Sequence, residues 1–221
     1  MYVFDFTVVL NSLPFLLSGV YYTIAISVAS LVLGVLVGSF AAVMRLSKSR
    51  LARYASITYI EFFRDTPLLV QVMWFFFALP ILLNIQISAV VAATLALGLN
   101  AGAFLAEIFR AGIQSVPVGQ VEAAKALGLH RWSVFRLVVA PQALRIVLPA
   151  LGNSFISLIK DSSLASVISV AELMRRADEI NTRTYRPLEV YTVAAIVYFA
   201  LTFATSLALS GLERRWNNGR K

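Results

Sequence analysis

The sequence predicts an all-α integral membrane protein with five transmembrane helices. Of its 221 residues, 59% are hydrophobic and only 14% are charged, whereas a soluble domain is about half apolar and about a quarter charged. Two long stretches, 6–44 and 66–106, contain no charged side chain. A chain of this length could not hide so much apolar surface inside itself, so lipid must cover that surface.

The apolar stretches divide into five spans, because a helix needs about 20 apolar residues to cross the hydrocarbon core. Pro80 and the polar residues 84–86 separate the second span from the third. The spans are expected at about 14–44, 54–79, 87–109, 144–169 and 189–211. No basic segment precedes the first apolar run, as a cleaved signal peptide would require. We therefore expect a single membrane domain over residues 1–221.

The basic residues are concentrated on one side of this topology. Segments 45–53 and 110–145 and the C-terminal tail fall on the same side and carry thirteen of the nineteen basic residues. On the opposite side, four arginines between residues 170 and 190 are offset by four acidic residues. The positive-inside rule then predicts a cytoplasmic C-terminus and an external N-terminus. The same distribution explains the net charge of +8 without a nucleic-acid partner.

The residue inventory excludes several kinds of chemistry. There is no cysteine and only one histidine, His130, which leaves no thiolate site, no histidine metal cluster and no H-E-x-x-H motif. We interpret His130 as a surface residue. No G-x-x-x-x-G-K-[ST] run is present, so the chain has no P-loop for ATP. We expect no metal and no cofactor in this chain, and uphill transport would draw its energy from a partner.

Two pairs of glycines predict close helix packing. Gly34 and Gly38 form one GxxxG pair, and Gly98 and Gly102 form another. Such pairs let helix backbones approach each other in a membrane, although a single pair can also arise by chance in an apolar helix.

The longest cytoplasmic connection, about 114–141, predicts a helix–turn–helix. Good helix formers occupy 118–127, Gly128 is placed to end that helix, and a second short helix is expected over 131–139, before Pro141. The corner would present Glu122, Ala123, Ala124 and Gly128. Two alanines and a glycine leave space there for another protein.

This spacing resembles the EAA loop of importer-type ABC permeases. Glu122-Ala123-Ala124, Gly128, Val138 and Pro141 fit that loop, and Ala140 stands where leucine is usual. Further stretches resemble those of permeases for polar amino acids of the histidine, glutamine, arginine and glutamate type. They are 63–71 (FRDTPLLVQ), 106–113 (AEIFRAGI), 116–120 (VPVGQ) and 160–164 (KDSSL). The resemblance covers nearly the whole chain, in order.

The resemblance implies a type I importer fold in the bacterial inner membrane. It implies two permease chains, identical or paralogous, two ATPase subunits that bind ATP and magnesium, and an external solute-binding protein. In that family the loop that holds Glu122, Ala123, Ala124 and Gly128 docks into a groove on the ATPase subunit and transmits its closure. The chain itself would be a transport subunit and not an enzyme.

Ionisable residues inside the membrane are costly and are candidates for function. Glu61, Arg64 and Asp65 lie on the second expected span, and Lys160 and Asp161 lie on the fourth. At a rise of about 1.5 Å per residue, Arg64 is about 17 Å into the membrane and Lys160 about 23 Å. The two clusters could therefore meet near the middle of the bilayer.

A site for an amino acid needs a donor for the α-carboxylate and an acceptor for the α-ammonium. An arginine matches a carboxylate bidentately, and an aspartate matches an ammonium. We hypothesise that Arg64 and Asp161 fill these roles. The other substrate-site candidates are Glu61, Asp65, Thr66 and Lys160.

Structural readings of the same residues are open. Glu61 and Arg64, three residues apart on a helix, could neutralise each other, and Lys160 could pair with an acidic residue of the second span. Pro67 after Thr66 predicts a broken helix, which in transporters often lines a binding site but can also be a simple kink. Glu107 is expected to pair with an arginine near the cytoplasmic boundary.

Three other functions compete with the importer. An ion-coupled secondary carrier or channel would need no ATPase. An intramembrane enzyme would need a nucleophile or metal set. A non-transporting assembly subunit would not need charges within its spans. The identity of the amino acid, the choice between a homodimer and a heterodimer, and which permease chain holds the competent site do not follow from the sequence.

Overall fold

The computed structural model describes residues 4–218, with the side chains of residues 4–211. Every regular element in this range is a helix. In chain order the helices are α1 (Thr7–Asn11), α2 (Leu13–Arg45), α3 (Arg50–Asp65), α4 (Leu68–Leu83), α5 (Ala89–Gln114), α6 (Val118–Ala126), α7 (Arg131–Ile168), α8 (Leu173–Thr184) and α9 (Pro187–Asn218). The tail cations that entered the topology prediction, Arg214, Arg215, Arg220 and Lys221, have side chains outside the described residues.

Four helices, α2, α5, α7 and α9, are long and apolar enough to span a membrane. The bent pair of α3 and α4 makes a fifth candidate span, in the place of the expected segment 54–79. One apolar core joins α2, α4, α5 and α7 through residues such as Ile26, Val72, Leu97 and Leu158. This core forms one wall of the site described below.

The pair α3 and α4 is bent by 105° at Thr66 and Pro67. Proline restricts the residue before it to extended backbone, and Thr66 accordingly has φ −101° and ψ 142°. Pro67 is extended as well, with ψ 130°. The expected break at this dipeptide is therefore confirmed.

Helix α7 begins at Arg131, earlier than the fourth span expected at 144. The prediction of a separate short helix over 131–139 is wrong, because that segment is continuous with the span. A π-helical turn, Phe135–Val139, precedes Pro141. Proline cannot donate the usual backbone hydrogen bond, and a wider π turn lets a helix continue past that gap.

Helices α2 and α5 pack backbone against backbone at the two glycine pairs. A Cβ atom on Gly38 would lie 2.7 Å from the carbonyl oxygen of Gly102, and one on Gly34 would lie 3.2 Å from that of Gly98. The close approach predicted from the spacing is confirmed.

Substituting Gly38 by alanine should therefore destabilise the protein by about 1–3 kcal/mol, the usual cost of overpacking. The methyl group would meet a backbone oxygen, which cannot move without shifting α5. Gly211→Ala is the matched control, since nothing lies within 4 Å of a Cβ there. Thermal unfolding of both variants in detergent measures the difference, and equal melting temperatures would contradict this packing.

Residues at the start of helix α8 form hydrogen bonds with α2 and α9. Glu172 accepts hydrogen bonds from the backbone N–H groups of Met174 (2.9 Å) and Arg175 (2.7 Å), and from the Tyr198 hydroxyl of α9 (2.7 Å). The N–H of Leu173 donates to the Thr23 hydroxyl of α2 at 3.2 Å. The Glu172 side chain, 0% exposed, thus caps α8 and joins it to α9.

The burial of Glu172 predicts a pH dependence of stability. Burial raises the pKa of this carboxyl from 4.5 to about 7, although its hydrogen bonds act in the opposite direction. Between these values the folded protein binds a proton that the unfolded chain releases, so the free energy of unfolding falls as the pH rises.

We expect a higher melting temperature at pH 5 than at pH 8, and a smaller difference in Glu172→Gln. If that variant kept the whole of the wild-type difference, other groups would be responsible for it.

Candidate functional site

A cavity of about 400 Å³ lies between α4, α5 and α7. Leu68, at the start of α4, and apolar residues of α5 form part of its wall. The polar and aromatic residues that line it are Asn100, Phe104, Asn153, Ser154, Ser157 and Asp161. Among these described lining residues, Asp161 alone carries a formal charge.

Asp161 is half-buried at the end of the α-helical part of α7. Within the described part of the chain, its carboxylate has no hydrogen bond and no ion pair. A partly buried carboxylate is costly unless it finds a partner. Because Asp161 lies on the cavity wall, a cationic group of a bound ligand could be that partner.

Arg64 contacts one residue of the cavity wall. Its guanidinium carbon lies 5.3 Å from the centre of the Phe104 ring, and Phe104 is part of the cavity wall. Arg64 itself is exposed and is not a wall residue. The structure thus places Asp161 on the cavity wall and Arg64 in contact with a second wall residue, Phe104.

The other charged candidates are not wall residues. Glu61, Asp65 and Lys160 are exposed, and among residues 4–211 no ion pair joins them to each other or to Arg64. Thr66 is also outside the wall, and its hydroxyl donates to the carbonyl of Phe62 at 2.7 Å.

Glu107 pairs with arginines, as predicted. Its carboxylate accepts hydrogen bonds from Arg110 at 2.9 Å and 2.5 Å and lies 3.6 Å from Nε of Arg45. These contacts tie the end of α2 to the end of α5.

The neutral polar residues of the wall carry no charge, which was the signal that singled out Asp161 in the sequence. A periodicity would have pointed to them. Ser154, Ser157 and Asp161 follow the i, i+3, i+7 spacing of one helix face. Asn100 and Asn153 are amides within otherwise apolar spans, where polar side chains are rare and tend to be functional.

The connection between α5 and α7 has the corner that its spacing predicted. Gly128 ends the first helix with φ +78°, a left-handed conformation that glycine adopts without strain. Glu122, Ala123 and Gly128 are exposed, whereas Ala124 is only 5% exposed. Of the two alanines, only Ala123 presents its side chain on the surface of this chain.

His130 lies on the surface, as predicted. Its Nδ1 accepts from the N–H of Trp132 at 3.4 Å and so caps the start of α7.

Residues 34–218 match the family described as "Binding-protein-dependent transport system inner membrane component". The glutamine transport system permease protein of Escherichia coli strain K12 is 41% identical over 213 residues, which cover 96% of this chain and 97% of that protein. The L-cystine transport system permease protein of Bacillus subtilis strain 168 is 43% identical over 204 residues, covering 91% and 86% of the two chains.

Solved structures agree with these relatives. An amino acid ABC transporter crystallised with histidines has a chain that is 40% identical, with a TM-score of 0.90 and coverage of 97% of this chain and 100% of that one. A chain of an inward-facing methionine ABC transporter has a TM-score of 0.80 at 19% identity, covering 93% and 98%; this likeness concerns the fold alone.

The helical importer fold implied by the resemblance is therefore confirmed. The chain belongs to the family of binding-protein-dependent transport system inner membrane components, and it is a permease subunit that spans the inner membrane.

Proposed function

We propose that this chain forms the path by which a polar amino acid enters the cell, driven by ATP hydrolysis on a separate ATPase subunit. The observation that carries the proposal is the half-buried Asp161 carboxylate, which lies on a cavity wall and has no hydrogen bond or ion pair within the described chain. The relatives named for glutamine and L-cystine transport support an amino-acid substrate.

In this proposal Asp161 accepts the α-ammonium of the substrate. The cavity has a volume of about 400 Å³, near the lower end of the range for small-molecule sites. The amides and hydroxyls of Asn100, Asn153, Ser154 and Ser157 supply further hydrogen bonds. They suit a polar side chain better than an aliphatic one.

Arg64 would bind the α-carboxylate. Its contact with Phe104 is a cation–π interaction, worth only about 0.5–1 kcal/mol at an exposed site. A bidentate bond to a carboxylate is stronger, so the guanidinium can leave the ring when substrate arrives. Glu61, Asp65 and Lys160, exposed on spans, would face the water-filled space between two permease chains, since such charges are too costly in lipid.

The cytoplasmic corner would transmit the ATPase movement. Glu122, Ala123 and Gly128 form its exposed surface, and the ATPase subunit would dock there. This requires the loop and the C-terminus in the cytoplasm and the N-terminus outside, as the distribution of basic residues predicts. The full importer would contain a second permease chain, two ATPase subunits and an external solute-binding protein.

The proposal is tested with the complete importer in proteoliposomes and a panel of labelled amino acids. We expect accumulation of one polar class with ATP and none with ADP. Accumulation driven by a sodium or proton gradient without ATP would instead identify a secondary carrier.

A further inference from the structure

The break between α3 and α4 leaves a backbone carbonyl without its helical donor. In a continuous helix the carbonyl of Phe63 would accept from the N–H of residue 67, but proline has no N–H. Two side-chain amides replace that donor. Nε2 of Gln71 lies 2.9 Å from the Phe63 oxygen, and Nδ2 of Asn100 lies 2.7 Å from it.

Gln71, on α4, forms hydrogen bonds across the break to the end of α3 and to Thr66. Its Nε2 also lies 3.1 Å from the carbonyl oxygen of Thr66 and 2.7 Å from the Thr66 hydroxyl. Its Oε1 accepts from Nδ2 of Asn100 at 3.2 Å. Gln71 is 5% exposed, and a buried amide is costly unless hydrogen bonds satisfy it. This amide is satisfied only while α3, α4 and α5 keep their present arrangement.

The network ends at the candidate cavity. Asn100 and Leu68, which follows Pro67, are both wall residues, and Phe63 directly precedes Arg64. The angle of the break therefore decides where Leu68 lies on the wall and where Arg64 lies relative to the wall residue Phe104. A small change in this angle would move both groups relative to Asp161, which is on another helix.

We propose that Gln71 is a positioning residue for the substrate. Its side-chain amide replaces the donor that Pro67 lacks and fixes the bend that aligns Arg64 with the cavity. This inference rests on the proposed function of the cavity.

The first test is transport by the complete importer carrying Gln71→Met, which removes the amide at similar size. We expect about a tenfold rise in KM for the amino acid, in line with the loss of buried hydrogen bonds, with co-purification of the ATPase subunit retained. Gln86→Met is the matched control, because Gln86 is exposed between α4 and α5 and its KM should not change. A residue with a purely structural role would lower the yield and leave KM unaltered.

The second test measures the bend itself. The chain has no cysteine, so spin labels can be placed at Leu51→Cys and Ile81→Cys, whose side chains are 82% and 80% exposed. With labelled chains diluted by unlabelled ones, Gln71→Met should broaden or shift the distance distribution between the two labels. An unchanged distribution together with an unchanged KM would overturn the inference.

A third variant keeps the inference testable if Gln71→Met fails to assemble. Gln71→Glu keeps the oxygen that accepts from Asn100 but places a second oxygen against the carbonyls of Phe63 and Thr66, and we expect the same change in KM and distance. Asp161→Asn is measured in parallel. If it raises KM and the Gln71 variants do not, the positioning role alone is refuted. If Asp161→Asn has no effect either, the proposed site itself fails.

Discussion

Asp161→Asn should raise the KM for amino-acid uptake by about 10- to 150-fold while leaving the assembled importer intact. Asparagine keeps the size of the side chain and an acceptor oxygen but removes the negative charge. The ammonium of the substrate would then lose a charge-assisted hydrogen bond, worth about 1.5–3 kcal/mol, which corresponds to a loss of affinity of about 10- to 150-fold. Labelled uptake by proteoliposomes, with the ATPase co-purified, measures the effect.

Asp5→Asn is the matched control for this substitution. Asp5 lies near the N-terminus, away from the cavity, and accepts from the backbone N–H of Thr7 at 3.0 Å, a bond that an asparagine oxygen can keep. It should leave uptake unchanged. Normal uptake by Asp161→Asn at low substrate concentration would contradict the assignment of Asp161.

The second large effect is expected at the corner formed by Glu122, Ala123 and Gly128. Ala123→Arg places a long charged side chain on the exposed surface proposed to dock into the ATPase subunit. We expect co-purification of the ATPase to fall more than about tenfold, since a steric clash with an unpaired charge in an interface costs well over 1.4 kcal/mol. Deleting residues 122–128 should abolish it entirely.

Ala123→Ser is the matched control, which shows whether the loss of the ATPase subunit is due to the large charged side chain or to any substitution at this position. Serine adds a single oxygen at the same exposed position and should retain the ATPase. If Ala123→Arg also retained it and supported uptake, this corner would not be the coupling surface. Ala124 is unsuitable for the test because its burial means that a large side chain would disturb the fold.

Features governed by local chemistry could be predicted from the sequence. Gly128 ends its helix because few other residues adopt its backbone conformation cheaply, and Pro67 breaks the second span because it lacks an N–H and restricts Thr66. The close contact of α2 and α5 followed from glycines spaced by one helical turn. Each of these signals depends on residues within one or two turns of the chain.

Features that depend on distant contacts could not be predicted in this way. Pro141 resembles a helix start, yet a π turn carries α7 through it, and nothing in the local sequence distinguishes the two outcomes. The role of Gln71 depends on a carbonyl eight residues away and on Asn100 of another helix. Asp161 could be singled out by its charge. The neutral side chains that share its cavity come from both α5 and α7, so the packing of these two helices had to be known to identify them.

The most direct test of whether Asp161 binds the α-ammonium is to measure the binding of three ligands to the purified importer. The external binding protein is left out of this measurement. The ligands are the transported amino acid, its N-acetyl derivative, which lacks the ammonium, and its methyl ester, which lacks the carboxylate. In the wild-type protein both derivatives should bind more weakly than the amino acid. In Asp161→Asn most of the preference for the amino acid over its N-acetyl derivative should be lost, whereas the preference over the methyl ester should persist. If Asp161→Asn still preferred the free ammonium as strongly as the wild type does, Asp161 would not be its partner.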